Sequence, residues 1–434
     1  MPFGPMHNLA QRRLKPVQCP QAGFQFHVHH FREVPVLKLT SIQALRALAA
    51  LLVVVYHTRS LEILAIADNG FEEHPLAGLI VDNGFAGVDL FFVISGFIMV
   101  YVTGKVTPRP MTSLAFLFAR AARIYPLWWF FALLMMAYFF VTLGTPWDAG
   151  AERSLDGTSF VADNPWQHIA LSLGLLPQPA WPVYGLGWTL VHEMHFYLVF
   201  ALLILLPRRL LPWALLLWAC GVTAGALAGL TGPYPTDYVS LAVHPLSLEF
   251  IGGCLAGLLV MSGRRFHPQL TVLLSACALV GALIAQGQET PFTLEWGRVL
   301  WFGLPSIALV YGLASLEANG DVEMPRWLVT LGDWSFSLYL GHLFMLSAVR
   351  RLFPMIGQRL EGTPYADWFL VGSPGLTDNL LYNATCIGLS LIFAGLVYYL
   401  FERPIIALSG RARRALFKDT NAQLKPAPVK PAIW

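Results

Sequence analysis

The sequence predicts an all-α fold, a polytopic transmembrane helical bundle, and three observations predict it. Charged residues make up only 12% of the 434-residue chain and hydrophobic residues 56%, whereas a soluble domain carries about 25% charged residues. Long apolar runs recur along the chain, each able to span a hydrocarbon core of roughly 30 Å. No hydrophilic stretch between them is long enough to form a second domain, although a soluble chain of this length would divide into two or more.

The elements follow in order. Residues 1–39 carry Arg12, Arg13, Lys15, Arg32 and Lys38 with no apolar core before them. They read as a cytoplasmic tail rather than a signal peptide. The transmembrane domain occupies 40–410, with about ten spans by hydropathy windows. These spans lie near 40–58, 84–104, 121–143, 187–206, 211–230, 242–262, 268–286, 297–315, 331–350 and 381–402. Pro207 and Pro212 flank a short turn, so the fourth and fifth spans form a tight hairpin. The segment 165–177 is too short to cross and is expected to lie along the outer interface. Residues 411–434, with Pro426, Pro428 and Pro431, read as a disordered cytoplasmic tail.

Lysine and arginine orient the bundle. With the N-terminus inside, 22 of the 28 basic residues fall on the cytoplasmic side, leaving Arg59, Arg153, Arg298, Arg350, Arg351 and Arg359 outside. That asymmetry predicts both termini in the cytoplasm and an even number of spans. The net charge of +3 is too small to point to nucleic acid. Five cysteines form no close pair, and four fall in apolar segments, so they read as small core residues. No metal is expected: "HEMH" (192–195) spaces its histidines at i, i+3 rather than the i, i+4 of a zinc helix. "HVHH" (27–30) falls in the tail.

Ionisable groups inside spans are costly and usually functional. Here they are Arg46, His57, Asp89, His192, Glu193, His195, Glu249, Asp333 and His342. As a group they argue for a polar cavity, with some of them pairing structurally between helices. Arg46 and His57 stand eleven residues apart, about three helical turns, so they share one face roughly 16 Å apart along the axis. A long ligand threaded from the cytoplasm fits such a stripe. Asp333 and His342 are nine residues apart and off register, which favours a structural role for both.

The arginine and histidine of span one, followed by "GVDLFFVISGF" (87–97), resemble the acyltransferase type 3 membrane family. "RAARIYP" (120–126), "WTLVHEMHFY" (188–197) and "SFSLYLGH" (335–342) agree with it in the same order, and the motifs cover Leu39 to Pro404. The resemblance implies transfer of an acyl group, usually acetyl, from acyl-coenzyme A to a hydroxyl of a carbohydrate. It also implies a bacterial inner-membrane protein, read here as the stand-alone form without a further hydrolase-like domain.

By that resemblance His57 is the catalytic histidine and Arg46 serves the coenzyme or the electrostatics of the site. An imidazole suits the role, since it accepts a proton near neutral pH. Arg120 and Arg123 share a face at the cytoplasmic mouth of span three, where a fork of guanidinium groups suits the coenzyme phosphates. Anionic lipid or topology alone explains such a pair as well. Glu193 is expected to orient His57 or stabilise its protonated form, and Asp89 to complete the cavity or pair with Arg46. Ser95 lies outside any nucleophile elbow, so Ser95–Gly96 reads as helix packing or a kink. A transporter or flippase of a lipid-linked saccharide, and an acyltransferase for a small secondary metabolite, remain as alternatives. Direct transfer and an acyl-enzyme route both stay open.

Overall fold

A computed structural model of the chain describes residues 39–71, 82–146, 165–285, 296–373 and 375–418. The expected N-terminal tail with its histidine-rich stretch 27–30, Cys19, and the C-terminal segment beyond 418 lie outside these residues. Among the described residues the structure is helical, with no strand. The helices are α1 Thr40–Asp68, α2 Gly87–Val102, α3 Pro110–Leu143, α4 Pro165–Gly174, α5 Gly187–Leu203, α6 Leu211–Leu227 and the short α7 Tyr238–Ala242. They continue with α8 Ser247–Ser262, α9 Pro268–Ala285, α10 Trp296–Arg298, α11 Leu304–Asn319, α12 Arg326–Arg359, α13 Thr377–Val397 and α14 Arg403–Leu416.

Eight helical segments of the described residues are long and apolar enough to cross a membrane. They account for eight of the expected spans. The other two correspond to α5, one residue short of that length at 17 residues, and to α12, which carries Asp333, His342, Arg350 and Arg351 within its 34 residues. The protein is a multi-pass membrane protein by this helix inventory. Cys254 and Cys386 are buried, and Cys220 and Cys277 face outward from apolar helices.

Several helix limits differ from those read from hydropathy. α1 continues past 58 to Asp68, because its last turns are held by polar contacts rather than by apolar length. Glu62 accepts a hydrogen bond from Asn379 at 2.6 Å, and Arg59 lies 3.8 Å from Glu62 and 3.7 Å from Asp82. α3 begins at Pro110, a proline suited to the first helical turn, so Arg120 and Arg123 lie inside the helix and not at its mouth. Residues 411–416, expected to be disordered, form the last turns of α14. The 187–230 hairpin has the short link expected, and Arg208 Nη1 ties it to α2 by donating to Thr103 O at 3.0 Å.

Two close helix contacts set the frame of the site. α2 packs along α8 with Gly96 and Gly253 at the crossing: a Cβ on Gly96 would meet Phe250 O at 2.0 Å, and one on Gly253 would meet Val93 O at 2.0 Å. Small residues permit such backbone approach in membrane bundles. α1 packs along α12, and its start is fixed by Glu317 of α11, which accepts the backbone N–H groups of Thr40 at 2.7 Å and Ser41 at 2.8 Å. A carboxylate at a helix N-terminus satisfies orphan donors and meets the positive end of the dipole. The depth of Arg46 and His57 follows from that anchor.

Candidate active site

Three cavities, each sharing lining residues with the next, lie between α1, α2, α3, α5 and α12. The first, of about 350 Å³, opens by the start of α1 and the end of α2, and is lined by Gln43, Arg46, Ser95, Tyr101, Arg120, Arg123, Glu193 and Tyr197. A neck of about 50 Å³ shares Arg46, Ser95, Arg123 and Glu193 with it and continues past Phe91, Phe92, Phe336 and Tyr339. Val88 and Tyr339 then pass into a third cavity of about 260 Å³, where His57 stands among Tyr56, Phe85, Trp181, Trp188 and Leu343. Arg46 and His57 therefore face the same series of cavities at different depths, as their spacing predicts.

Helical registers place the lining. On α1, positions 46, 50, 53 and 57 follow one face, as do 189, 193 and 197 on α5 and 335, 339 and 342 on α12. Arg46 donates from Nη2 to Ser335 Oγ at 2.8 Å and from Nε to Gly332 O at 3.4 Å, with its guanidinium 5.9 Å from the Phe91 ring centre. Arg120 lies 5.9 Å from the ring centres of both Phe116 and Tyr197, and its buried Nε has no hydrogen-bond partner among the described residues. Glu193 accepts from Ser95 Oγ at 3.1 Å and from Tyr197 OH. Three guanidinium groups and one carboxylate thus surround the first cavity and its neck, an arrangement fit for a polyanion.

His57 has different company. Its Nδ1 lies 3.0 Å from Val53 O and 3.2 Å from His342 Nε2, and the two rings are 5.0 Å apart. No carboxylate touches it among the described residues. The expectation that Glu193 orients His57 is corrected: Glu193 belongs to the arginine end, because it is held by Ser95 and Tyr197 of that cavity. His342, expected to be structural, faces His57. The comparison of 342 with 333 concealed this, since the relevant neighbours along α12 are Ser335 and Tyr339. Gly96 lies at the helix crossing, in keeping with the packing reading of Ser95–Gly96, while Ser95 donates to Glu193.

Asp89 is also corrected. It does not pair with Arg46 but with Arg298, whose Nη2 lies 2.7 Å and Nε 2.9 Å from its carboxylate oxygens. Asp89 is fully buried and Arg298 4% exposed. Arg298 stands just before a π-helical turn, Val299–Gly303, and its guanidinium covers Phe85 at 4.9 Å and Trp188 at 5.8 Å. Phe85 and Trp188 are walls of the His57 cavity, so the Asp89–Arg298 pair supports that cavity from behind. His192 stands behind the same wall, 5.9 Å from the Trp188 ring and 4.8 Å from that of His244. Among the described residues no group of histidine, cysteine and carboxylate side chains is placed to hold a metal ion.

Sequence comparisons place the chain among known proteins. Residues 39–401 match the model of an acyltransferase domain family. The exopolysaccharide production protein ExoZ of Rhizobium meliloti is 32% identical over 339 residues, covering 76% of this chain and 92% of its own. The acyltransferase MdmB of Streptomyces mycarofaciens is 27% identical over 402 residues, 87% of this chain and 94% of its own. No solved structure matches the chain. With the family model spanning nearly all of the helical region, the chain belongs to this acyltransferase family.

Proposed function

We propose that this protein moves an acyl group, acetyl by the resemblance of its motifs, from acyl-coenzyme A to a hydroxyl of a carbohydrate such as an exopolysaccharide or its lipid-linked precursor. One observation carries the reading: a single series of cavities joins a cluster of three arginines to a histidine deep in the bundle. Arg46, Arg120 and Arg123 would hold the phosphates of the coenzyme, since guanidinium groups pair with phosphate oxygens through parallel hydrogen bonds. The slender pantetheine arm suits the neck. ExoZ, a relative by sequence, supports the exopolysaccharide acceptor, and the aromatic walls around His57 suit the C–H faces of a sugar ring. The basic asymmetry of the sequence supports an arginine end on the cytoplasmic side of a bacterial inner membrane.

In this reading His57 Nε2 takes the proton of the acceptor hydroxyl as its oxygen attacks the thioester carbonyl carbon. The carbon–sulfur bond then breaks, and the leaving sulfur receives that proton from the imidazolium. The products are the ester and the free thiol, with no net proton released. General-base assistance of this kind is worth roughly 10²–10⁴ in rate. The test is a coenzyme-dependent assay on purified protein with acetyl-coenzyme A and an oligosaccharide acceptor. His57→Ala should bind the donor normally and lose turnover by about that factor. Undiminished turnover in His57→Ala would remove the assignment, and transport of saccharide without ester formation would replace it with the transporter reading.

A further inference from the structure

The chemistry above uses one imidazole, while the site holds two. We propose that His342 is a positioning residue: it fixes the tautomer and ring orientation of His57 and accepts a hydrogen bond from the imidazolium formed during transfer. This inference rests on the reading of His57 as the base.

The argument is one of donors and acceptors. A carbonyl oxygen only accepts. His57 Nδ1 lies 3.0 Å from Val53 O, so that nitrogen carries the hydrogen. His342 Nδ1 lies 3.1 Å from Leu338 O, so it too carries a hydrogen, and the neutral ring keeps its lone pair on Nε2. That lone pair is 3.2 Å from His57 Nδ1. The His57 N–H is therefore shared between Val53 O and His342 Nε2, and its own Nε2 keeps the lone pair that a base requires.

The opposite assignment places two acceptors face to face on both helices. In charge-relay triads a buried carboxylate holds the second ring nitrogen of the base in the same manner. Here a neutral imidazole accepts the bond without adding a permanent charge to an apolar cavity. The titratable side chains against the two rings are Tyr56, with its ring centre 5.0 Å from that of His57, and Tyr339, 6.3 Å from His342. His342 is completely buried, so it serves the reaction through His57 and not by touching substrate.

Three variants test this, assayed beside His57→Ala. His342→Phe keeps the ring volume and removes the acceptor. Turnover should fall roughly 10–100-fold, the worth of one hydrogen bond to a charged group, with the KM for acetyl-coenzyme A unchanged. His342→Gln, which places an amide oxygen near the position of Nε2, should recover most of that loss, whereas His342→Asn, one carbon shorter, should not. Wild-type turnover in His342→Phe, or equal loss in His342→Gln and His342→Phe, overturns the proposal. If His57→Ala is inactive while His342→Phe is fully active, only the present inference fails. Active His57→Ala sinks the reading it rests on. Nitrogen-15 spectra of histidine-labelled wild-type protein give a second readout that needs no His342 variant. Assigned by loss of signal in His57→Ala, they should show neutral His57 protonated at Nδ1. Protonation at Nε2 instead would overturn the proposal.

Discussion

Arg120 and Arg123 sit one helical turn apart on α3, yet they meet the cavities differently. Arg120 rests between the rings of Phe116 and Tyr197 in the first cavity alone, whereas Arg123 lines both that cavity and its neck. Replacing both by alanine should weaken acetyl-coenzyme A binding roughly a hundredfold, the loss of charged hydrogen bonds worth a few kcal/mol. Calorimetry on detergent-purified protein checks this, and unchanged affinity would reduce the pair to topology signals. Arg46 and His57 were legible as one lining face because intramembrane charge is rare and their spacing lies on a single helix, whereas Arg120 and Arg123 were singled out by the resemblance of their motif and placed at a helix mouth. The partners of Asp89 and His57 were not legible. Arg298 is 209 positions from Asp89 and His342 is 285 from His57, and helical periodicity carries no information across such distances.

At the scale of elements, the α2–α8 crossing sets where Asp89, Phe92 and Ser95 stand, so it bears on the site without touching it. A side chain at Gly96 or Gly253 meets a backbone oxygen at 2.0 Å, and a backbone atom has no rotamer in which to retreat. Gly96→Val should therefore destabilise the folded protein by about 1–3 kcal/mol or more, the usual cost of overpacking. A fall in the thermal unfolding midpoint measured by tryptophan fluorescence would register it, and an unchanged midpoint would show that the helices part freely. Hydropathy located ten of the fourteen helices among the described residues. It misjudged the ends of α1, α3 and α12: α1 runs on through the polar contacts of Arg59 and Glu62, α3 starts eleven residues earlier at Pro110, and α12 continues to Arg359. The helices that bring Glu193 and His342 to the site, α5 and α12, are the two that fall outside the eight apolar ones. α5 misses that set by a single residue of length, and α12 carries Asp333, His342, Arg350 and Arg351 within its span.

For the whole molecule, the basic asymmetry predicts that a cysteine introduced at Lys418, just past α14, is reached by membrane-impermeant reagents only from the cytoplasm. Labelling from outside intact cells would invert the bundle and the donor side with it. Once the bundle is oriented, the 50 Å³ neck acquires a meaning beyond catalysis. A membrane that stores energy as ion gradients is short-circuited by any continuous polar path, and the cavities here are separated by that neck. The narrowest stretch here holds at most a few water molecules. It is walled by Phe91, Phe92 and Phe336 and carries the fixed positive charge of Arg46, which repels cations as an arginine does in selective pores. On the proposed reading, the same constriction that would admit a thin thioester arm would also preserve the electrical insulation of the bilayer, so that a group could change sides chemically while the ions stay where they are.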